Sequence, residues 1–181
     1  MKLLTEYLST KIAKPSIIKA TDKTIHKIVK DEIDRLGIDA DLNHIDVSEV
    51  TNMNSVFSCH NDDLGLKYTF LNPDISGWDV SKVKNMHAMF YRCRNFNCDI
   101  NNWDVSNVKD MSAMFGECKS FNQDLSRWDV KNVENMRGMF CECKSFNQDL
   151  SGWNVSSVTY HHDNMFFNCP IKEEYKPKFN I

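Results

Sequence analysis

The sequence predicts a single α/β solenoid of 25-residue repeats, closed at its start by an amphipathic helix. Three observations carry this. The tryptophans Trp78, Trp103, Trp128 and Trp153 fall at steps of 25 residues. So do Met89, Met114 and Met139, and with them Phe90, Phe115 and Phe140. Asp79, Asp104 and Asp129 follow the tryptophans, with Asn154 in the fourth copy. A fixed period of this length means units that pack only against their neighbours.

The bulk composition excludes several classes. With 22 Lys and Arg against 25 Asp and Glu, the net charge is −3, so no basic field calls for nucleic acid or an anionic membrane. The apolar run Leu3-Leu4 is too short for a signal-peptide core, and no stretch spans a bilayer, which places the chain in the cytoplasm by default. The seven cysteines are an odd number, and Cys93, Cys118 and Cys143 are locked to the repeat. A repeat-locked cysteine reads as a small buried filler in preference to a disulfide framework.

Residues 1–40 form a lead-in and capping helix. Leu3, Leu4, Tyr7 and Leu8 are candidate packing residues, and Pro15 interrupts any helix there. Thr21 or Asp22 suits an N-cap, and Gly37 suits the position after a helix. Between them Ile25, Ile28, Val29, Ile33 and Leu36 make an apolar stripe, so a helix is expected over 22–36, covering the end of the stack.

Residues 41–169 hold the repeats. Asp41 to Ser48 (D-L-N-H-I-D-V-S) is a degenerate first copy with Ile45 in the tryptophan place. Trp78 comes 33 residues after Ile45, and the added residues fall in His60 to Thr69, expected as a surface loop. Inside each regular repeat, Val108, Met111, Met114, Phe115 and Cys118 show the spacing of a short helix or 3₁₀ turn facing the core. Asp124-Leu125-Ser126 suits a short strand. One strand and one helical turn per unit is the leucine-rich-repeat plan, with strands stacked about 4.8 Å apart. In the last copy His161 falls where Met136 predicts methionine, and Met165, Phe166 and Cys169 arrive one residue late. Residues 170–181, charged and proline-containing, are expected as a C-terminal cap.

The motif F-N-Q-D-L-S-x-W-D-V-S-N-V-x-x-M-x-x-M-F-x-x-C, over residues 41–169, resembles the BspA-like leucine-rich-repeat surface proteins, whose 25-residue repeats also occur in mycoplasma-type lipoproteins. The resemblance implies a right-handed leucine-rich-repeat-like solenoid. It also implies protein binding or adhesion at a bacterial surface or on a virion.

No nucleophile motif, phosphate-binding glycine loop or HExxH element is present, and no cofactor or metal is expected. His161-His162-Asp163 looks like a metal fragment, but no further ligand lies near it in sequence. The aspartate columns, Asp74, Asp99, Asp124 and Asp149 among them, are read as turn-forming groups in preference to a calcium ladder. The positions that differ between copies are informative. They are Gly77, Asn102, Arg127 and Gly152 before each tryptophan, then His87, Ser112 and Arg137, then Tyr91, Gly116 and Cys141. The expected function is a monomeric, non-enzymatic protein-interaction module. Its binding face is expected on the strand side at Asn102 and Arg127, flanked by Asn97, Asn122 and Asn147. The alternatives are an adhesion component that recognises a receptor or glycan, and an enzyme with an unrecognised site.

Overall fold

Successive repeats are tied together through their backbones, mainly in one direction. In the computed structural model, which describes residues 16–59, 66–159 and 161–179, the amides of Met86, Ala88, Phe90 and Arg92 donate to the carbonyls of Asp110, Ser112, Met114 and Gly116 at 2.8–2.9 Å. The next rung repeats the pattern, with Met111, Ala113, Phe115 and Glu117 donating to Asn135, Arg137, Met139 and Cys141. Parallel bridges link Asn52, Asn85, Asp110, Asn135 and His161 in series.

This ladder runs along the Val-Met-Met-Phe segment, not along Asp-Leu-Ser. Asp124-Leu125-Ser126 is neither strand nor helix. The Met-Phe segment is a chain of β-turns, closed by Met114 N–H to Met111 O, Gly116 N–H to Ala113 O and Cys118 N–H to Phe115 O. A continuous 3₁₀ helix is ruled out by backbone hand. Ala113 and Glu117 have φ of 52° and 60°, the type II signature at the third residue of a turn. The same two columns recur as Ala88 and Arg92, Gly138 and Glu142, and Asn164 and Asn168. With a positive φ at every fourth residue, the N–H groups of Met111, Ala113, Phe115 and Glu117 meet one neighbour and the C=O groups of Asp110, Ser112, Met114 and Gly116 meet the other.

Side chains add further ties, each a buried polar group finding its partner one rung back. The indole N–H groups of Trp78, Trp103, Trp128 and Trp153 donate to the carbonyls of Leu42, Ile75, Ile100 and Leu125. The thiols of Cys93, Cys118 and Cys143 donate to the carbonyls of Phe57, Phe90 and Phe115, so these cysteines are buried hydrogen-bonded fillers and are unpaired. The core is a column of rings. Phe57, Phe90, Phe115, Phe140 and Phe166 stack at 5.3–5.7 Å between centroids. Met114, Phe115 and Cys118 are wholly buried.

The N-terminal end has its own devices. Strand β1 (Ile18–Lys19) pairs in parallel with β2 (Ile45–Asp46). Helix α1 (Ile25–Leu36) buries Ile25, Val29 and Ile33 on the first rung, with Ile28 half-buried. The helix begins three residues later than expected, because Asp22 is used elsewhere. Its carboxylate accepts the Thr51 and Asn52 amides at 2.7 and 3.0 Å and the Thr51 hydroxyl at 2.7 Å. Leu36, expected in the stripe, is 44% exposed. Glu32 faces inward in its stead, held by Arg35 and by buried His44 at 2.7 Å.

Part of the expected surface loop is structured. Leu66–Phe70 is a 3₁₀ helix whose Tyr68 is buried, with its hydroxyl donating to Asp34. In the last copy, the added residue lies before His161. His161 therefore takes the place of Asn135, and His162, not His161, takes that of Met136, its ring 4.3 Å from Phe179. Leu3, Leu4, Tyr7, Leu8 and Pro15 lie outside the described residues. Among the described residues no helix is long and apolar enough to cross a membrane.

Candidate functional site

The three sets of variable positions meet different fates. Asn102 and Arg127 are exposed, as are Gly77 and Gly152 in the same column, and they lie on an open surface. Arg127 sits beside Asp124, whose carboxyl is held below the usual carboxylate range chiefly by hydrogen bonds from Ser126. Asn97, Asn122 and Asn147 have a structural task that the sequence reading did not assign to them. Asn97 Oδ1 accepts the Asn122 amide at 2.9 Å, Asn122 Oδ1 accepts that of Asn147 at 3.0 Å, and Asn147 Oδ1 accepts that of Lys172 at 3.0 Å. Asn72 extends this ladder backward to the Asn97 amide.

The aspartate columns are satisfied locally. Asp74, Asp99, Asp124 and Asp149 each accept the amide two residues ahead, as do Asp46, Asp79, Asp104 and Asp129 in the second column. These are Asx-turns, which offset the repulsion of stacked like charges. Among the described residues no group of three or more His, Cys, Asp or Glu is placed to hold a metal ion.

The other two variable columns converge. His87, Tyr91, Ser112, Arg137 and Cys141 line one groove of about 440 Å³ on the ladder side, running across successive rungs. The turn geometry explains why. Positions 87, 112 and 137 sit next to the positive-φ residues Ala88, Ala113 and Gly138 and share one face, where Arg137 is exposed, His87 half-buried and Ser112 buried. His87 Nδ1 and Ser112 Oγ lie 2.7 Å apart, and Ser112 Oγ donates to Asp110 at 2.5 Å. Gly116 leaves room for the Tyr91 ring, since a Cβ there would stand 2.9 Å from Tyr91 Cδ2. The Tyr91 hydroxyl donates to Glu117 at 2.9 Å, and Arg92 Nε donates to the same oxygen at 3.0 Å. Burial raises the Glu117 carboxyl, but these donors outweigh it and hold it low, while burial and Glu117 push the Tyr91 phenol up. Arg137 is exposed, and no described side chain pairs with its guanidinium.

The sequence signal for this groove was the variability of the two columns. What it lacked was the backbone hand that brings them together. The arrangement offers an aromatic platform, a free cation and a run of hydroxyl, imidazole and thiol groups on a rigid scaffold.

These features define a protein of stacked 25-residue units whose framework positions hold the stack and two of whose three variable columns meet in one open groove. The chain matches the family described as "Mycoplasma protein of unknown function, DUF285" over residues 27–65 and 62–177, and it belongs to that family. No curated protein and no solved structure matches it.

Proposed function

We propose that the protein is a non-enzymatic protein-interaction module that binds through the groove lined by Tyr91 and Arg137. One observation carries this reading. Framework side chains are consumed by rung-to-rung bonds, while residues from two of the three variable columns meet in one cavity. Tyrosine and arginine are enriched at binding hot spots, because each combines apolar area with directed donors. The kinship to BspA-like surface proteins, and with it a right-handed leucine-rich-repeat-like solenoid, belongs to the same proposal. The inter-rung ladder and the phenylalanine column support the solenoid.

The test uses wild type and the double variant Tyr91→Ala with Arg137→Ala as paired baits, followed by affinity measurement on whatever the wild type retains. The groove reading expects a partner whose affinity falls at least tenfold in the folded variant, equivalent to about 1.4 kcal/mol. Undiminished affinity would remove the groove from consideration. The pair Asn102→Ala with Arg127→Ala then decides whether the exposed column before the tryptophans binds instead. An adhesion role is the second reading, favoured by the half-buried Tyr91 ring as a stacking surface for a sugar. Glycan-array binding that Tyr91→Ala abolishes would select it.

A further inference from the structure

A second cavity lies far from the groove in chemical character. It has a volume of about 380 Å³ and sits between α1 and the first rung. Val29, Ile33, Val56, Phe57 and Leu71 give it apolar walls, and Tyr68 of the 3₁₀ helix closes one side. Its size is that of a small-molecule site.

The polar side of this cavity holds His26 and Lys30 from α1 and, on the first rung, backbone acceptors of which two have no described donor. Through the series Asn52, Asn85 and Asp110, the first-rung residues Asn54, Val56 and Ser58 stand where Ser112, Met114 and Gly116 stand in a later rung. Those later carbonyls accept the amides of Ala88, Phe90 and Arg92. Among the described residues no earlier rung supplies them. His26 Nε2 reaches the Asn54 carbonyl at 2.8 Å. Among the described residues nothing donates to the carbonyls of Val56 and Ser58. The Ser58 hydroxyl, on a residue 8% exposed, also has no hydrogen-bond partner. An unanswered buried polar atom costs on the order of 1–3 kcal/mol, so the Ser58 hydroxyl, beside two carbonyls with no described donor, marks a place where a partner is missing.

The repeat itself shows what fits. In each later rung, a Phe stacks on the next Phe and its amide donates to the carbonyl alongside. Phe90 lies 5.7 Å from Phe115, and its amide bonds Met114 O at 2.9 Å. Phe57 is the first ring of the column and forms part of the cavity wall. We propose that this cavity is a binding site for an aromatic amino-acid unit, whose ring enters against Phe57 and whose amide N–H groups donate to Val56 O, Ser58 O and Ser58 Oγ. The chemistry is shared by a free amino-acid amide and by an aromatic residue within a peptide. The proposal stands independently of the groove.

The experiment titrates the full chain with N-acetyl-L-phenylalanine amide and follows backbone ¹H–¹⁵N signals. N-acetyl-L-alanine amide, which lacks the ring, and toluene, which lacks the donors, are the controls. A ligand of this size is expected to saturate at roughly millimolar concentration. The shifts should centre on Val56, Phe57, Ser58 and Leu71. Ser58→Ala should weaken binding about fivefold or more and leave the melting temperature equal or higher, because the hydroxyl has no partner to lose. A short peptide with a central phenylalanine that binds more tightly than the amide would identify the peptide source, and the reverse order the free compound. Absence of saturable shifts at these residues overturns the proposal. So does an equal response to the ringless control, or binding unchanged by Ser58→Ala.

Discussion

The two ends of the stack close differently, and the contrast shows what a one-directional ladder demands. At the N-terminal end, every group that a preceding rung would serve has a substitute or stands over a cavity. Asp22 takes the Thr51 amide, whose counterparts Lys84, Lys109 and Glu134 donate backward to the rung before, and the Asn52 amide, whose counterparts Asp110 and Asn135 do the same. β1 supplies the partner for β2, and α1 covers the apolar side. At the C-terminal end, the amides of His162, Asn164, Phe166 and Asn168 stand in the donor places and have no acceptor among the described residues. The segment after Pro170 answers other columns. Leu150 donates to Tyr175 O at 2.8 Å, and Asn147 accepts from Lys172. Asn164 and Asn168 are exposed, so water can serve their amides. An apolar rung face has no such substitute, which is why the helix sits at the other end.

The largest effect expected follows from that asymmetry. Deleting residues 1–37 should expose Val50, Met53 and Phe57, now all buried, and give aggregation or partial unfolding. Removing residues 170–181 should cost much less. Size-exclusion chromatography and thermal melts of both truncations compare them, and a monomeric chain with unchanged melting temperature after the N-terminal deletion would show that α1 is an independent arm.

Next in size is the interior against the end of the ring column. Phe115→Ala should cost about 3–5 kcal/mol, as truncation of a wholly buried aromatic does. Phe166→Ala, at a half-buried ring stacked on Phe140, should cost less than half of that. Chemical denaturation of the two variants checks the ratio. Equal losses would mean that the column does not stop where the rungs do.

The smallest effect concerns pH. Burial raises the Asp22 carboxyl, but bonds from Thr51 and Asn52 outweigh it, so its pKa is lowered. A lowered folded pKa contributes stability that is present above the unfolded value, about 3.9, and lost as pH falls through the folded one. Wild type should therefore melt above Asp22→Asn at neutral pH, and the gap should close below about pH 4. A gap for Asp22 that persists into acid would remove the carboxylate from the cap.

Much of the framework was legible because it is periodic. Trp103, Met114, Phe115 and Cys118 announced their burial by recurring, and all four are buried. The path of the ladder was not legible. Val, Met, Met and Phe at steps of three and four fit a helical turn and a chain of β-turns equally well. The deciding clue is Gly138, Asn164 and Asn168, residues that tolerate positive φ, sharing columns with Ala113 and Glu117. The asparagine ladder hid for another reason. Asn97, Asn122 and Asn147 look like a polar surface column, and nothing in their spacing reveals that each side chain holds the next rung's amide. The groove needed both facts together: which side chains are consumed and which way the turns face.

Native-state hydrogen exchange tests the directional ladder most directly. The amides of Met111, Ala113, Phe115 and Glu117 each donate to the following rung at 2.7–3.0 Å, whereas their counterparts His162, Asn164, Phe166 and Asn168 have no described acceptor. Exchange of the first set should require opening of the stack and be slow, and exchange of the second should proceed near the rate of an exposed amide. Equal protection of both sets, or slow exchange confined to the second, would contradict it.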